Sequence, residues 1–154
     1  MHVKEILKVK GQTLVSTAPD ALVSDAVITM AKTDMGSVVV MEGEKMVGML
    51  TFREIMRVLA KRQKEHRQGP TPPIADLRVR DLMFTDPQVV TPDMDLNELR
   101  QVMIESHQRY LPVVEGEHLL GVISFIDVAR AVLDEQGFEN KMLKAYIRDW
   151  PAEN

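Results

Sequence analysis

Cysteine is absent from the 154 residues, and with it go disulfides, thiolate metal sites and cysteine nucleophiles. No apolar run approaches the roughly 20 residues that a membrane-spanning helix requires. The opening Met1-His2-Val3-Lys4-Glu5 has no apolar stretch of the kind a signal peptide carries, so a cytoplasmic protein is expected. Nor is there a basic excess: 19 Lys and Arg stand against 23 Asp and Glu, a net charge of −4. That is the opposite of what a dedicated nucleic-acid binder usually carries. The basic stretch Lys61-Arg62-Gln63-Lys64-Glu65-His66-Arg67 reads as the solvated end of a helix, with RNA or DNA binding as its alternative. His2, His66, His107 and His118 have no metal-ligand spacing and are expected on the surface, with no metal site. Neither a nucleophile–base pair nor a phosphate-cradling glycine loop occurs, so no catalytic residues and no enzymatic activity are expected.

What the chain does have, it has twice. Glu42-Gly43-Glu44-Lys45-Met46-Val47-Gly48-Met49-Leu50-Thr51-Phe52-Arg53-Glu54 reappears 73 positions later as Glu115-Gly116-Glu117-His118-Leu119-Leu120-Gly121-Val122-Ile123-Ser124-Phe125-Ile126-Asp127. The correspondence runs without a gap from Pro19/Pro92 to Ala60/Leu133. Apolar positions match apolar ones, and both glycine pairs coincide. In each copy a hydroxyl residue is followed three places later by a carboxylate. Such a repeat implies two copies of one supersecondary unit. Each copy is too small to bury its own apolar face, so the two should pack as a pseudo-twofold pair. The cleft between them is the first place to look for a site.

Each copy opens with a short helical pattern, residues 3–9 and 79–83, followed by a short strand, 13–17 and 88–90. Pro19-Asp20 and Pro92-Asp93 then supply turn chemistry. Apolar residues at 22, 23, 26, 27, 30 and 31, and again at 96, 99, 102, 103 and 104, mark a helix in each copy. Ser37-Val38-Val39-Val40-Met41 and Tyr110-Leu111-Pro112-Val113-Val114 read as strands that turn through Glu-Gly-Glu into second strands, 45–50 and 118–123. Pro112 has no N–H to give, so its nitrogen is expected to face away from any partner strand. A second helix follows each hairpin, from 52 to about 65 and from 125 to about 136. Beyond Gly137, residues 138–147 read as a separate amphipathic helix with Phe138, Met142, Leu143, Tyr146 and Ile147 on its apolar side, ahead of Trp150-Pro151. The expected organisation is a first repeat at 1–67, a Pro- and Gly-rich linker at 68–78, a second repeat at 79–136, and a C-terminal helix and tail at 137–154. The methionines between Met30 and Met56 read as fillers of irregular core gaps or of a helix-lined dimer face.

In Gly121-Val122-Ile123-Ser124-Phe125-Ile126-Asp127, Ser124 falls where a strand ends and a helix begins. The first N–H groups of a helix lack partners and carry its positive end, which suits an anion. A hydroxyl there can bond a phosphate oxygen, and a carboxylate one turn on can accept from both hydroxyls of a ribose. The same spacing is also a capping box, in which the carboxylate reaches back to the N-cap N–H. Thr51-Phe52-Arg53-Glu54 fits that box as well, with Glu one methylene longer than Asp. On the residues alone both readings stay open.

The α-β-α-β-β-α order of each unit, the repeat spacing and the Gly-apolar-apolar-Ser/Thr-x-x-Asp signature resemble a tandem pair of CBS domains, a Bateman module. The resemblance extends from Val3 to about Gln136. It implies an α/β (α+β) fold of two pseudo-twofold repeats packed through their sheets, here with an extra C-terminal helix. It further implies a stand-alone regulatory module sensing AMP, ADP, ATP, NAD or S-adenosylmethionine between the repeats. Similar modules dimerise through the helices flanking the clefts, so a homodimer acting on an effector protein is expected; a ligand-free scaffold is the alternative.

In similar proteins one repeat's motif holds phosphate and ribose, while the other repeat houses the base. Carried over, Ser124 would bind phosphate and Asp127 ribose, with Ile123 leading into them and Arg109 facing phosphate. The base would lie by Thr13, Leu14, Val15, Met35, Gly36 and Ser37, where Gly36 lacks the Cβ that would keep a flat ring from the backbone. The pseudo-symmetric site comprises Leu50, Thr51, Glu54, Val89, Val90 and Tyr110. It is expected to be narrowed or empty, because Arg109-Tyr110 replace the small Gly36-Ser37 pair there.

Overall fold

Gly43 and Gly116 have φ of +64° and +61°, a region glycine enters without steric cost, and each turns a pair of strands back on itself. In the first repeat the hairpin joins β2 (Ser37–Glu42) to β3 (Lys45–Thr51); in the second it joins β4 (Tyr110–Glu115) to β5 (His118–Ser124). The registers correspond, Ser37↔Thr51 with Tyr110↔Ser124, and both ladders slip at the same place, after Val40 and after Val113. Before the first hairpin come α1 (Val3–Lys10), β1 (Ser16–Thr17) and α2 (Val23–Thr33), and after it α3 (Phe52–Glu65). A 3-10 turn (Ile74–Asp76), α4 (Val79–Leu82) and α5 (Leu96–Ser106) lead into the second hairpin, and α6 (Phe125–Arg148) follows it. The computed structural model describes residues 1–11, 14–33, 35–65 and 73–148, with Ala75 by its backbone alone. Thr13, His66, Arg67, Trp150 and residues 68–72 of the expected linker lie outside the described residues.

The short leading strand is formed differently in the two repeats. β1 pairs in parallel with β2, and Val39 N–H donates to Val15 O at 3.0 Å. In the second repeat the same edge shrinks to a single bridge, Val90 with Val113. Val90 N–H donates to Pro112 O and Val114 N–H to Val90 O, both at 2.9 Å. Pro112 therefore turns its peptide edge toward the 88–90 segment and away from β5, the strand that β4 pairs with. It stands where Val39 stands in the first repeat, and without an N–H it cannot make the corresponding bond to Gln88. The strand expected at 88–90 is reduced to that bridge for this reason.

The opening helices cross over. Val3 and Ile6 of α1 are buried with Leu96, Leu99, Leu111, Val113 and Ile123, which is the second repeat's core. Val79 and Leu82 of α4 are buried with Val23, Ala26, Val38 and Leu50, the first repeat's core. Backbone bonds repeat the exchange: Val3 N–H to Met94 O and Lys4 N–H to Pro92 O on one side, Val79 N–H to Ala21 O and Arg80 N–H to Pro19 O on the other. Between the sheets runs a third cluster of Val39, Met49 and Val122, flanked by Met41, Met46, Phe84 and Tyr110. Met30 is buried in the first repeat's core, and Met49, Met41 and Met46 fill this seam.

α6 runs unbroken for 24 residues, about 36 Å at 1.5 Å per residue. The C-terminal helix is thus continuous with the last helix of the second repeat, and no break occurs at Gly137. One mid-helix glycine costs only about 1 kcal/mol relative to alanine, and the Glu, Lys, Leu, Met and Ala around it favour helix. From Phe138 to Arg148 every residue except Ala145 is exposed.

The two signature glycines meet different surroundings. A Cβ on Gly48 would lie 2.7 Å from the Phe84 carbonyl oxygen, whose backbone pairs with Met49; one on Gly121 would meet only Leu7 Cδ2 at 3.0 Å. Gly48→Ala is expected to destabilise the fold by about 1–3 kcal/mol through overpacking against backbone. Gly121→Ala should cost less, about 1 kcal/mol or below, because a leucine methyl can give way. Urea midpoints of the two variants check this, and equal losses would contradict it.

Candidate functional site

The strand-to-helix turn of each repeat closes a capping box. Thr51 N–H and Oγ1 both donate to Glu54 Oε1, at 2.7 and 2.8 Å, and Arg53 N–H donates to Thr51 Oγ1 at 3.2 Å. Ser124 N–H and Oγ both donate to Asp127 Oδ2 at 2.8 Å, and Asp127 N–H donates to Ser124 Oγ at 3.3 Å. One difference matters: a lysine reaches the second carboxylate. Lys10 Nζ, at the end of α1, lies 2.8 Å from Asp127 Oδ2 and 2.7 Å from Val122 O. Both side chains are largely enclosed, 20% and 11% exposed. Burial pushes the Asp127 carboxyl up. The hydrogen bonds from Lys10 and from the Ser124 amide and hydroxyl, with the Lys10 charge, outweigh it and hold the group below its ordinary value of 3.8.

Around this turn lies a cleft of about 370 Å³. Met35, Gly36, Arg109, Ser124 and Asp127 line it, as the sequence predicts, together with Lys10, Phe52, Tyr110, Phe125, Ile126 and Arg130. Among the described residues, three cations and one carboxylate thus face the cavity. The other expected residues do not line it: Leu14 is exposed, Val15 packs on the first repeat's core, and Ser37 and Ile123 are buried. Thr13 lies outside the described residues. Over Gly36 the missing Cβ leaves room that the protein's own rings take, since a methyl there would run into Tyr110 Oη and lie 2.8 Å from Phe52 Cδ1. A planar ligand reaching the Gly36 backbone must therefore displace or stack on Tyr110 and Phe52.

The pseudo-symmetric cleft is open, at about 460 Å³. Thr51, Glu54 and Tyr110 line it beside Phe84, Met56, Arg57 and Arg109, whereas Leu50 and Val90 are buried and Val89 is not part of it. The narrowing expected there does not occur. Tyr110 folds across toward Gly36 instead of filling this cavity, and Arg109 lines both. Glu54 is buried with Thr51 as its hydrogen-bond partner, and among the described residues no cation takes the place that Lys10 takes beside Asp127.

Lys10 and Arg130 escaped the sequence reading. Arg130 sits three residues beyond Asp127 on the same helix, a spacing that brings side chains to one face, so it was legible in principle. Lys10 was not, because only the crossover of α1 onto the second repeat brings it there. His2, His107 and His118 are exposed, and no cluster of metal-ligating side chains occurs among the described residues. Nor, among them, is any helix long and apolar enough to cross a membrane.

Because the folded-state Asp127 is more acidic than in the unfolded chain, its network stabilises the fold fully above pH 3.8 and is lost as pH falls through the lower folded value. Lys10→Met should raise the Asp127 titration midpoint, since burial then meets less opposition. A carboxylate carbon NMR titration reads it directly, and an unchanged midpoint would show that Lys10 does not hold the group.

The CBS domain model matches residues 3–61 and 79–134. The CBS domain-containing protein CBSX3, mitochondrial, of Arabidopsis thaliana is 26% identical over 155 residues, covering 95% of this chain and 71% of that protein. YhcV of Bacillus subtilis is 30% identical over 115 residues, 74% of this chain and 75% of that protein. Among solved structures, the CBS domain NE2398 superposes with a TM-score of 0.75 at 29% identity, covering 86% of this chain and 98% of that one. Two more distant structures share the fold. CBSX2 in complex with AMP has a TM-score of 0.70 at 22% identity, covering 88% of this chain and 98% of that one. The CBS domain pair of MJ0100, in complex with 5'-methylthioadenosine and S-adenosyl-L-methionine, has a TM-score of 0.72 at 16% identity over 88% and 98%. With both halves matched and the repeat geometry in place, the chain belongs to the CBS domain family as a tandem pair.

Proposed function

We propose that the chain is a regulatory module without catalytic activity that binds an adenine nucleotide in the cleft of Ser124 and Asp127 and signals to an effector protein. One observation carries the reading: Ser124 and Asp127 of one repeat face Gly36 and Met35 of the other across a single cavity, with Lys10, Arg109 and Arg130 around it. A hydroxyl at a helix N-terminus, a carboxylate one turn on and surplus positive charge are complementary to a ribose phosphate. The complexes of the fold relatives with AMP and with adenosyl compounds support the same ligand class. NAD belongs to that class too.

Titration calorimetry with AMP, ADP, ATP, NAD and S-adenosylmethionine tests it. A ligand at 100 times its Kd should add about 2.7 kcal/mol of stability, read equally well as a rise in melting temperature. Asp127→Ala should abolish binding and Glu54→Ala should weaken it little. Each variant also loses a helix cap worth about 1 kcal/mol, so comparing the two separates ligand contact from capping. The reverse order would overturn the assignment. No response to any adenine compound would favour a ligand-free scaffold, and salt-sensitive oligonucleotide binding would favour a nucleic-acid role for the basic end of α3.

We further propose a homodimer formed through helices beside the clefts. Val27 and Ile28 of α2, Met56 and Leu59 of α3, Ile104 of α5 and the far half of α6 all leave apolar side chains exposed. Light scattering should give twice the 17.4 kDa of one chain; the mass of a single chain would refute it.

A further inference from the structure

Asp127 Oδ2 already accepts three donors at 2.8 Å each: Ser124 N–H, Ser124 Oγ and Lys10 Nζ. A ribose diol would bring two more, while a carboxylate offers about four acceptor sites over both oxygens. Oδ2 alone already takes more than its own share of about two, so a ribose hydroxyl that comes to this oxygen competes with the donors on it. The two from Ser124 are built into the strand-to-helix turn. Lys10 is not: its ammonium ends a flexible stem on a different element, held among the described residues by Asp127 and the Val122 carbonyl. Arg109 and Arg130 are the other cations facing the cleft, and neither has an ion-pair partner among the described residues.

Resting on the adenine-nucleotide reading above, we propose that Lys10 makes the cleft selective for phosphorylated ligands. Lys10 closes Asp127. An entering nucleotide draws Nζ from the carboxylate to its phosphate, and Oδ2 is released to the ribose hydroxyls. The exchange replaces one charge-assisted bond by another. Adenosine has no anion to offer the ammonium, and S-adenosylmethionine, with a sulfonium and an ammonium against one carboxylate, adds net positive charge to a cavity already rich in it. Each phosphate supplies what they lack, so the cleft belongs to nucleoside phosphates.

Calorimetry at fixed ionic strength, with adenosine, AMP, ADP and S-adenosylmethionine against the wild type, Lys10→Met and Lys10→Arg, tests this. ADP should bind the wild type about tenfold or more tighter than adenosine or S-adenosylmethionine. Lys10→Met should weaken ADP by a similar factor while leaving adenosine unchanged or tighter, and Lys10→Arg should keep the preference for ADP. Parallel losses for adenosine and ADP in Lys10→Met would reduce Lys10 to a structural tie and overturn the inference. Asp127-dependent binding of all four compounds without a phosphate preference in the wild type would do the same and leave the adenine reading standing. If the wild type binds none of the four, and neither ATP nor NAD, both readings fall. Should Lys10→Met fail to fold, the wild-type series and Lys10→Arg still decide.

Discussion

Everything in this molecule depends on the exchange of opening helices. A unit of about 60 residues buries too little surface to be comfortably stable by itself. Here Val3 and Ile6 leave the first repeat to complete the second core, and Val79 and Leu82 do the reverse. Neither half-core closes without residues from the other half. The relative placement of the repeats is therefore set by two interlocked cores as well as by the seam of Val39, Met49 and Val122. A cleft whose walls come from both repeats inherits that fixed geometry, and Lys10 reaches the second repeat's motif only because α1 has crossed over.

Within that frame the two halves diverge for reasons that hydrogen-bond accounting makes plain. A buried backbone carbonyl needs a donor. In the first repeat Met49 O takes the Phe84 N–H, so an extra stretch of chain docks on β3 and an aromatic ring lines the neighbouring cleft. In the second, Val122 O takes Lys10 Nζ. The same requirement is met by fixed backbone in one copy and by a movable cation in the other. Likewise Val39 keeps a ladder bond that Pro112 cannot make. Substitutions that leave the fold intact have given the two clefts different chemistry.

The duplication was legible because its signals are local. Glycine at a tight turn, β-branched runs, a helical stripe and a hydroxyl–carboxylate pair at an N-cap each act within a few residues. What escaped the sequence acts over long separations. Lys10 meets Asp127 across 117 positions, and no periodicity in α1 points to it. The ring packing of Tyr110 and Phe52 on Gly36 is equally non-local; the glycine signalled that a flat group would approach, but not that the chain would supply it. Gly137 misled in the opposite direction. A local helix-breaking tendency of about 1 kcal/mol was set against strong helix formers on both sides, and the helix continued.

That continuity bears on how occupancy of the cleft reaches a partner. α6 begins at the cleft with Phe125, Ile126, Asp127 and Arg130 and ends with Phe138, Met142, Leu143, Tyr146 and Ile147 exposed. Its buried anchors, Val128 and Ala131, lie in its first two turns. α1 lies alongside and is tied to it at both ends, by Lys10 to Asp127 and by the Met1 amino group to Glu135 at 3.2 Å. A rigid helix anchored through its first three turns converts a small tilt there into a larger displacement at its far end. Ligand binding shifts such a balance only through different contacts in the two states, and the bond between Lys10 and Asp127 is a contact that a phosphate and a ribose would compete for directly. The Lys10–Asp127 tie is thus one of two ion pairs that, among the described residues, join α6 to the start of the chain and α1, beside the packing of Val3 and Ile6 in the core that holds Val128 and Ala131.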